Sequence, residues 1–364
     1  KYEIKKFGRD LGISFTAGVS KPNQLFLPRL HGKKDRINKC GQLARKNRKA
    51  RNLYKGSCFS AETWGHQACG FTLSNMLLLE RHGAKCTGIN PAGRCRHVAN
   101  CVAFGPYGHP KARIIRETIG TFFQLVSSML RAKQEKDLRD GWDKACNQHE
   151  FFGTTSVRGP MGVVIDLLKN LGWKPVSYNV WRSNITDVCF ILNNVCQSAK
   201  TIINALIDRS NEIDSNRAEI HYCGEGMKGG IDWEISLQWH KSKNIEYSQK
   251  CAIETIFAGA FWPNLRVFQI KPEVCKFCDR CGGTELDTAL HCFWSCPANE
   301  KFVDPAVAKT QYLIADAEAH FQEFACLWIR GLVPLSETKA ILDMYPPSDL
   351  LSSSVSSNSI QEVK

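Results

Sequence analysis

At 364 residues with 43% hydrophobic side chains, the chain has ample material for two or three packed domains. Its 17 cysteines are odd in number, sparse and irregularly spaced, which excludes a disulfide-stapled secreted scaffold. No signal peptide is present, so a reducing intracellular compartment, nuclear or cytoplasmic, is expected rather than secretion. No apolar run approaches the ~20 residues of a membrane-spanning helix, and no membrane partner is expected.

The net charge of +13 is carried by one end of the chain. Residues 1–60 hold 16 Lys/Arg against Glu3, Asp10 and Asp35, while residues 61–364 balance 32 basic against 32 acidic groups. Beginning at Lys1 rather than a methionine, the chain reads as a fragment or a processed product.

In chain order, a short strand is expected at Ile13-Ser14-Phe15. The densest basic run follows: Lys33, Lys34, Arg36, Lys39, Arg45, Lys46, Arg48, Lys49, Arg51 and Lys55, with Asp35 its one acid. Ile37, Cys40, Ala44, Ala50 and Tyr54 recur at helical spacing, so one face of a basic helix can pack while the others stay cationic. Such a helix suits a phosphate backbone, since each neutralised phosphate releases counterions. Targeting signals and solvated helices share the pattern.

The remainder reads as mainly α. Pro110 opens a helix whose apolar stripe is Ile115, Ile119, Phe122, Val126 and Met129. Another helix runs from Met161 to Leu171, with Gly172 as its stop. Residues 185–209 and 246–261 carry helical periodicity, the latter aligning Ile253, Ile256, Phe257 and Phe261. A strand is expected from Val176 to Val180, and a disordered, serine-rich tail over 346–364.

Spacing points to chemistry at one place. Cys278, Cys281, His291 and Cys296 follow C-x2-C-x9-H-x4-C, a compact set of four soft ligands able to close a tetrahedral structural zinc site. Metal would supply folding energy to a segment too small to bury a core of its own. Gly282-Gly283 allow the positive φ that the turn after Cys281 often needs. On a regular helix His291 and Cys296 would diverge by roughly 140°. Pro297 pushes Cys296 out of α geometry, so Cys296 lies just past a short helix that carries His291. Cys275 and Cys292 are spare candidates, and a redox pair at Cys278/Cys281 is the competing reading.

No Walker loop, G-x-S-x-G elbow or HExxH occurs. Asp187, Asp208, Asp214 and Asp232 read as caps and surface groups, and His66 and Cys69 as packing residues. No active site is recognisable.

The stretch Cys278-x2-Cys281-Gly282…Glu285…His291-x4-Cys296-Pro297 resembles the zinc-knuckle segment near the C-terminus of LINE-type (non-LTR) retrotransposon reverse transcriptases. Arg9-Asp10-Leu11-Gly12-Ile13 resembles the strand after that family's polymerase palm. Arg45–Leu53, Thr63-Trp64-Gly65-His66 and Leu73-Ser74-Asn75-Met76 resemble the helical region downstream. Weaker echoes continue at Pro91–Arg94, Ala258–Ala260 and Leu327–Leu332, so the likeness runs intermittently from about residue 9 to 334. The family's aromatic-Ala-Asp-Asp turn is absent, so the resemblance implies no catalytic residue and places Mg2+ only in a palm domain outside this chain.

What it implies is a nucleic-acid-binding region of an RNA-directed DNA polymerase, with a structural Zn2+. Its partners would be RNA or target DNA and the upstream polymerase domain. The corresponding segments are an end-of-palm strand and thumb-like basic helix (1–60), helical regions (61–150 and 151–272), the knuckle (273–298), a C-terminal helical segment (299–345) and the tail (346–364). The rival expectation is a zinc-stapled protein-interaction module whose basic segment is a targeting signal.

Overall fold

A computed structural model describes residues 7–10, 13–16, 26–157, 159–184, 189–191, 195–302 and 304–344. Helices dominate, as expected, accompanied by two small antiparallel sheets. The tail expected at 346–364 lies outside the described residues, as do Leu11, Gly12 and Asp187. Among the described residues no helix is long and apolar enough to cross a membrane, and the described cysteines form no disulfide. The chain divides into two compact units: Lys1–Asp214 with Cys251–Ala260, and Ser215–Lys250 with Phe261–Lys364.

The first unit opens on a hairpin, β1 (Phe7–Asp10) and β2 (Ile13–Thr16), in which Phe7 lies opposite Thr16. Helix α1 (Lys34–Lys46) buries Ile37, Cys40, Gly41 and Ala44 at spacings of three and four, leaving its cationic positions outside. The basic segment is not one helix, however. Asn47 takes extended angles (φ −145°, ψ 112°), and its side chain accepts a hydrogen bond from the Lys49 N–H to start a new turn. Asparagine competes with the helix for backbone partners in this way, which overrides the apolar periodicity that runs through it.

Gly41 sits where α1 meets the end of α2 (Leu73–Lys85). A Cβ there would lie 2.5 Å from the Lys85 carbonyl oxygen, so the two backbones approach as closely as only glycine allows. Helix α3 (Arg96–Phe104) follows, then α4 (Pro110–Arg131), which starts on its proline as expected. Its stripe of Ile115, Ile119, Phe122 and Val126 is buried, with Met129 partly so.

Helices α5 (Glu135–Phe152) and α6 (Gly159–Asn170) pack on α4, and Gly172 follows the end of α6 in a left-handed turn (φ 76°). A three-stranded sheet follows: β3 (Trp173–Ser177), β4 (Val180–Ser183) and β5 (Cys189–Ile191). The strand expected at Val176–Val180 is thus corrected to the turn Tyr178-Asn179 between two strands, where Asn179 accepts from Ser177. Helix α7 runs Val195–Glu219, later and longer than the 185–209 periodicity indicated. Phe122, Trp142, Val164, Leu168, Trp181 and Leu206 share one core that spans both sides of position 150. Its indoles stack with Trp142 and Trp181 centroids 6.5 Å apart.

The helix Tyr247–Phe257 returns the chain to this unit through Cys251–Ala260. Cys95 N–H bonds the Ala258 carbonyl at 2.7 Å. Glu254, 3% exposed, takes a two-pronged salt bridge from Arg51 (2.8 and 2.6 Å) and a third contact from Arg48 Nε at 3.0 Å. Planar guanidinium and carboxylate match edge to edge, and Arg51 Nε also donates to the Thr87 carbonyl.

The second unit is built from short helices. Asp232 caps the helix Trp233–Ser236 by accepting from Ile235 N–H at 3.0 Å, which is the cap role expected of it. Ile231 bridges Pro334, and Phe324, Trp328, Val333 and Ile341 form the core. Arg330, 1% exposed, donates to the carbonyls of Cys223 and Glu225 and holds that glycine-rich loop in place.

Two measurements check this packing. Glu254→Ala strands two guanidiniums in the interior and should destabilise the first unit by about 3–5 kcal/mol in a denaturant melt. His66 is buried with its ring stacked on Phe71 and Nδ1 at 2.8 Å from the Thr63 carbonyl; burial pushes its pKa down to about 4. Its folded value lies below the unfolded ~6.5, so the unfolded chain binds the extra proton between those values and stability falls as pH drops through that window. The slope should reach about 1.4 kcal/mol per pH unit, and His66→Gln should abolish that part of it.

Candidate metal centre

The knuckle begins as a tight hairpin. Cys278 N–H bonds the Glu285 carbonyl at 2.8 Å, Asp287 N–H bonds Lys276 at 3.0 Å, and Phe277 pairs with Leu286. Asp279–Cys281 makes one tight turn, and Gly282 and Gly283 follow at φ 82° and 78°, the left-handed geometry anticipated for them. This turn brings Cys278 and Cys281 to one side.

His291 rides on a short helix beginning at Ala289, and Cys296 stands just past its end at φ −71°, ψ 120°, as Pro297 dictates. The Cys296 N–H bonds the His291 carbonyl at 2.9 Å, a wide i→i+5 turn. Opening the turn by one residue removes the angular divergence that a regular α-helix would impose on a five-residue step.

The four ligand atoms converge, all lying within 4.8 Å of one another. Cys278 and Cys296 Sγ are 3.8 Å apart, and Cys281 Sγ lies 3.6 Å from His291 Nε2. A tetrahedral zinc with Zn–S of about 2.3 Å and Zn–N of about 2.0 Å sets S···S near 3.8 Å and S···N near 3.5 Å. These two spacings match that geometry, so the donor set is one that could hold zinc. With four protein donors and no open position, a metal held there would staple the segment.

The spare cysteines separate from the set. Cys275 is exposed, and Cys292 turns its thiol onto Asp287 Oδ1 at 2.9 Å. Burial, followed by that carboxylate, pushes Cys292 up to about 12. Cys281 moves the other way. The Thr284 hydroxyl first, with help from His291, draws it down to about 6 against the resistance of desolvation.

The knuckle is anchored at both ends. Asp287 Oδ2 accepts from Asn264 N–H at 2.6 Å, and Asn264 Nδ2 donates to Phe277. Trp294 Nε1 donates to the Trp328 carbonyl at 2.7 Å, its ring edge-on to Trp328. Trp294 is thereby a packing residue, while Phe293 lies 37% exposed beside Phe261.

The ten basic positions fall into three groups. Lys34, Arg36, Lys39, Arg45, Lys46 and Lys49 are exposed and Lys33 is half-buried. Lys55 lies over the Phe104 ring, and desolvation lowers its pKa. Arg51 is buried and Arg48 is drawn inward by Glu254, so neither is presented to solvent. By unit, the first holds 34 Lys/Arg against 17 Asp/Glu, a net of +17, and the second 14 against 18, a net of −4.

A second convergence escaped sequence reading. His97, His109 and Asp214 meet in the interior of the first unit. Asp214 Oδ1 is already held by Lys111 Nζ at 2.5 Å, and Lys111 also reaches Glu80 at 3.1 Å. His109 Nδ1 accepts the Lys111 backbone N–H at 3.2 Å. Lys111 thus neutralises Asp214 and Glu80, an ion network that ties α4 to α2 and α7. Only Pro110 and the helical periods hinted that these residues share an interior.

Comparison with known proteins finds no matching family model, no similar curated protein and no similar solved structure.

Purified chain should carry one zinc, measured by atomic emission. Cys281→Ser should lose most of it, whereas Cys292→Ser and Cys275→Ser should retain it. Zinc affinity should fall as pH is lowered from 8 towards 5, because protons compete with the metal for its sulfur and nitrogen donors.

Proposed function

We propose that this chain is a nucleic-acid-binding region of a LINE-type reverse transcriptase, C-terminal to a polymerase palm that is not part of it. In this reading the exposed row on α1 and the turn after it grips phosphate, and the zinc knuckle stiffens a second surface that meets template RNA or target-site DNA. Chemistry belongs to the palm.

The observation that carries the reading is the zinc-ready knuckle on the C-x2-C-G…H-x4-C-P pattern, preceded in the chain by a strongly basic unit. Three further points support it. Six of the ten basic side chains are exposed, which is the disposition a phosphate backbone needs. The apolar face of α1 is buried in the first unit, so the cationic face is held at a fixed orientation. The charge is confined to the first unit, as an electrostatic footprint on one body of the protein would be.

Replacing Arg45, Lys46 and Lys49 by Gln tests the reading, since all three are exposed and no core depends on them. Affinity for single-stranded RNA should drop at low salt, and the slope of log K against log salt should shrink by about 2, some 0.7 per lost phosphate contact. Unchanged affinity and slope would reject the basic row. A wild-type chain that ignores RNA and DNA at low salt would instead support the protein-interaction module.

A further inference from the structure

The second unit contains a cavity of about 450 Å³ against the knuckle, within the range of about 300–1,000 Å³ typical of small-ligand sites. One wall is Thr288, Ala289 and Leu290, the three residues that lead into the zinc ligand His291, so a bound metal would fix that wall. Leu265, Phe321 and Ile329 supply further apolar surface. Its charged groups are a guanidinium and a carboxylate, with the amides of Gln269 and Gln322 beside them.

The guanidinium is Arg266. Its Cζ lies 4.3 Å from the Tyr222 ring centre and 4.1 Å from that of Trp262, and its Nη1 donates to the Phe261 carbonyl at 2.8 Å. Two rings and a carbonyl hold its plane in one orientation while it lines the cavity. The carboxylate is Glu225, half-buried on the loop whose Cys223 and Glu225 carbonyls are clamped by Arg330. The guanidinium plane is thus positioned before any ligand arrives, and the backbone that carries Glu225 is held in place as well.

Phosphate is a poor match for this site, because the unit around it carries a net charge of −4 and a carboxylate shares the cavity. A flat, uncharged ring with acceptors on one edge and donors on another is a good one. Guanine has that pattern: O6 and N7 accept from arginine, and N1–H and N2–H donate to a carboxylate. An unpaired base splayed from a single strand offers both edges at once.

We infer that the cavity between Arg266, Glu225 and the knuckle wall receives one unpaired guanine of a bound nucleic acid. This rests on the nucleic-acid-binding reading above and adds to it a base-reading site separate from the phosphate-gripping row. RNA and single-stranded DNA supply the same base.

The test uses the full zinc-loaded chain and fluorescent uridine octamers carrying one central guanine or one central adenine, with the matching deoxy-octamers as a second arm. Guanine should be preferred over adenine by at least about fivefold in one or both arms, the lower end of what a matched base contact provides. The arm that shows the preference identifies the source. Glu225→Gln should reduce the preference to within twofold while zinc content and circular dichroism stay unchanged. Arg266→Lys keeps the charge and loses the planar fork, and should do the same. Octamers bound through the basic row with no guanine preference would overturn the cavity's role and leave the phosphate-binding reading intact. A preference that survives Glu225→Gln in folded protein would also overturn it. Absence of binding to every octamer at low salt would overturn both.

Discussion

The carboxylate of Glu254 is the constraint on which the first unit turns. It lies 203 positions beyond Arg51 in sequence, is almost wholly buried, and neutralises two guanidiniums that arise in the most basic part of the chain. A buried ion pair of this kind need not add net stability, because desolvating three charged groups cancels much of their attraction. What it favours is one arrangement, because burying Arg51 without Glu254 would leave a charge unpaired. The cationic row on α1 keeps a fixed orientation because its neighbours in sequence are tied down in this way.

The same pairing divides the basic segment into two chemistries. Ten cations look equivalent as a charge run, yet six face solvent while Arg48 and Arg51 serve the interior. Charge density alone therefore overstates the surface available to phosphate. The second unit, with its net charge of −4, carries no comparable cationic run.

Local features were legible in the sequence where local physics decides them. The convergence of Cys278, Cys281, His291 and Cys296, the positive-φ glycines after Cys281 and the extended Cys296 before Pro297 all follow from spacing and backbone sterics within one short segment. So do the proline start and apolar stripe of α4. Errors arose where a single residue overrode a period, as Asn47 does in the basic segment and Tyr178-Asn179 does between β3 and β4. Long-range partnerships were hidden. Asp214 resembled a surface carboxylate until Lys111, 103 positions away, closed on it, and nothing near Arg51 announced Glu254. The i→i+5 turn was visible only as a geometric problem between His291 and Cys296 that the backbone had to solve.

The first unit is discontinuous, and that has a consequence for synthesis. Its last segment, Cys251–Ala260, is translated only after residues 215–250 of the other unit. Between the emergence of Asp214 and that of Glu254 lie some 40 residues, or roughly 2–8 s at typical elongation rates of about 5–20 residues per second. During that interval Arg48 and Arg51 lack the acid that pairs with them in the finished fold. A polyanion in the cell would find the basic segment most accessible then, before the fold has sorted structural cations from exposed ones.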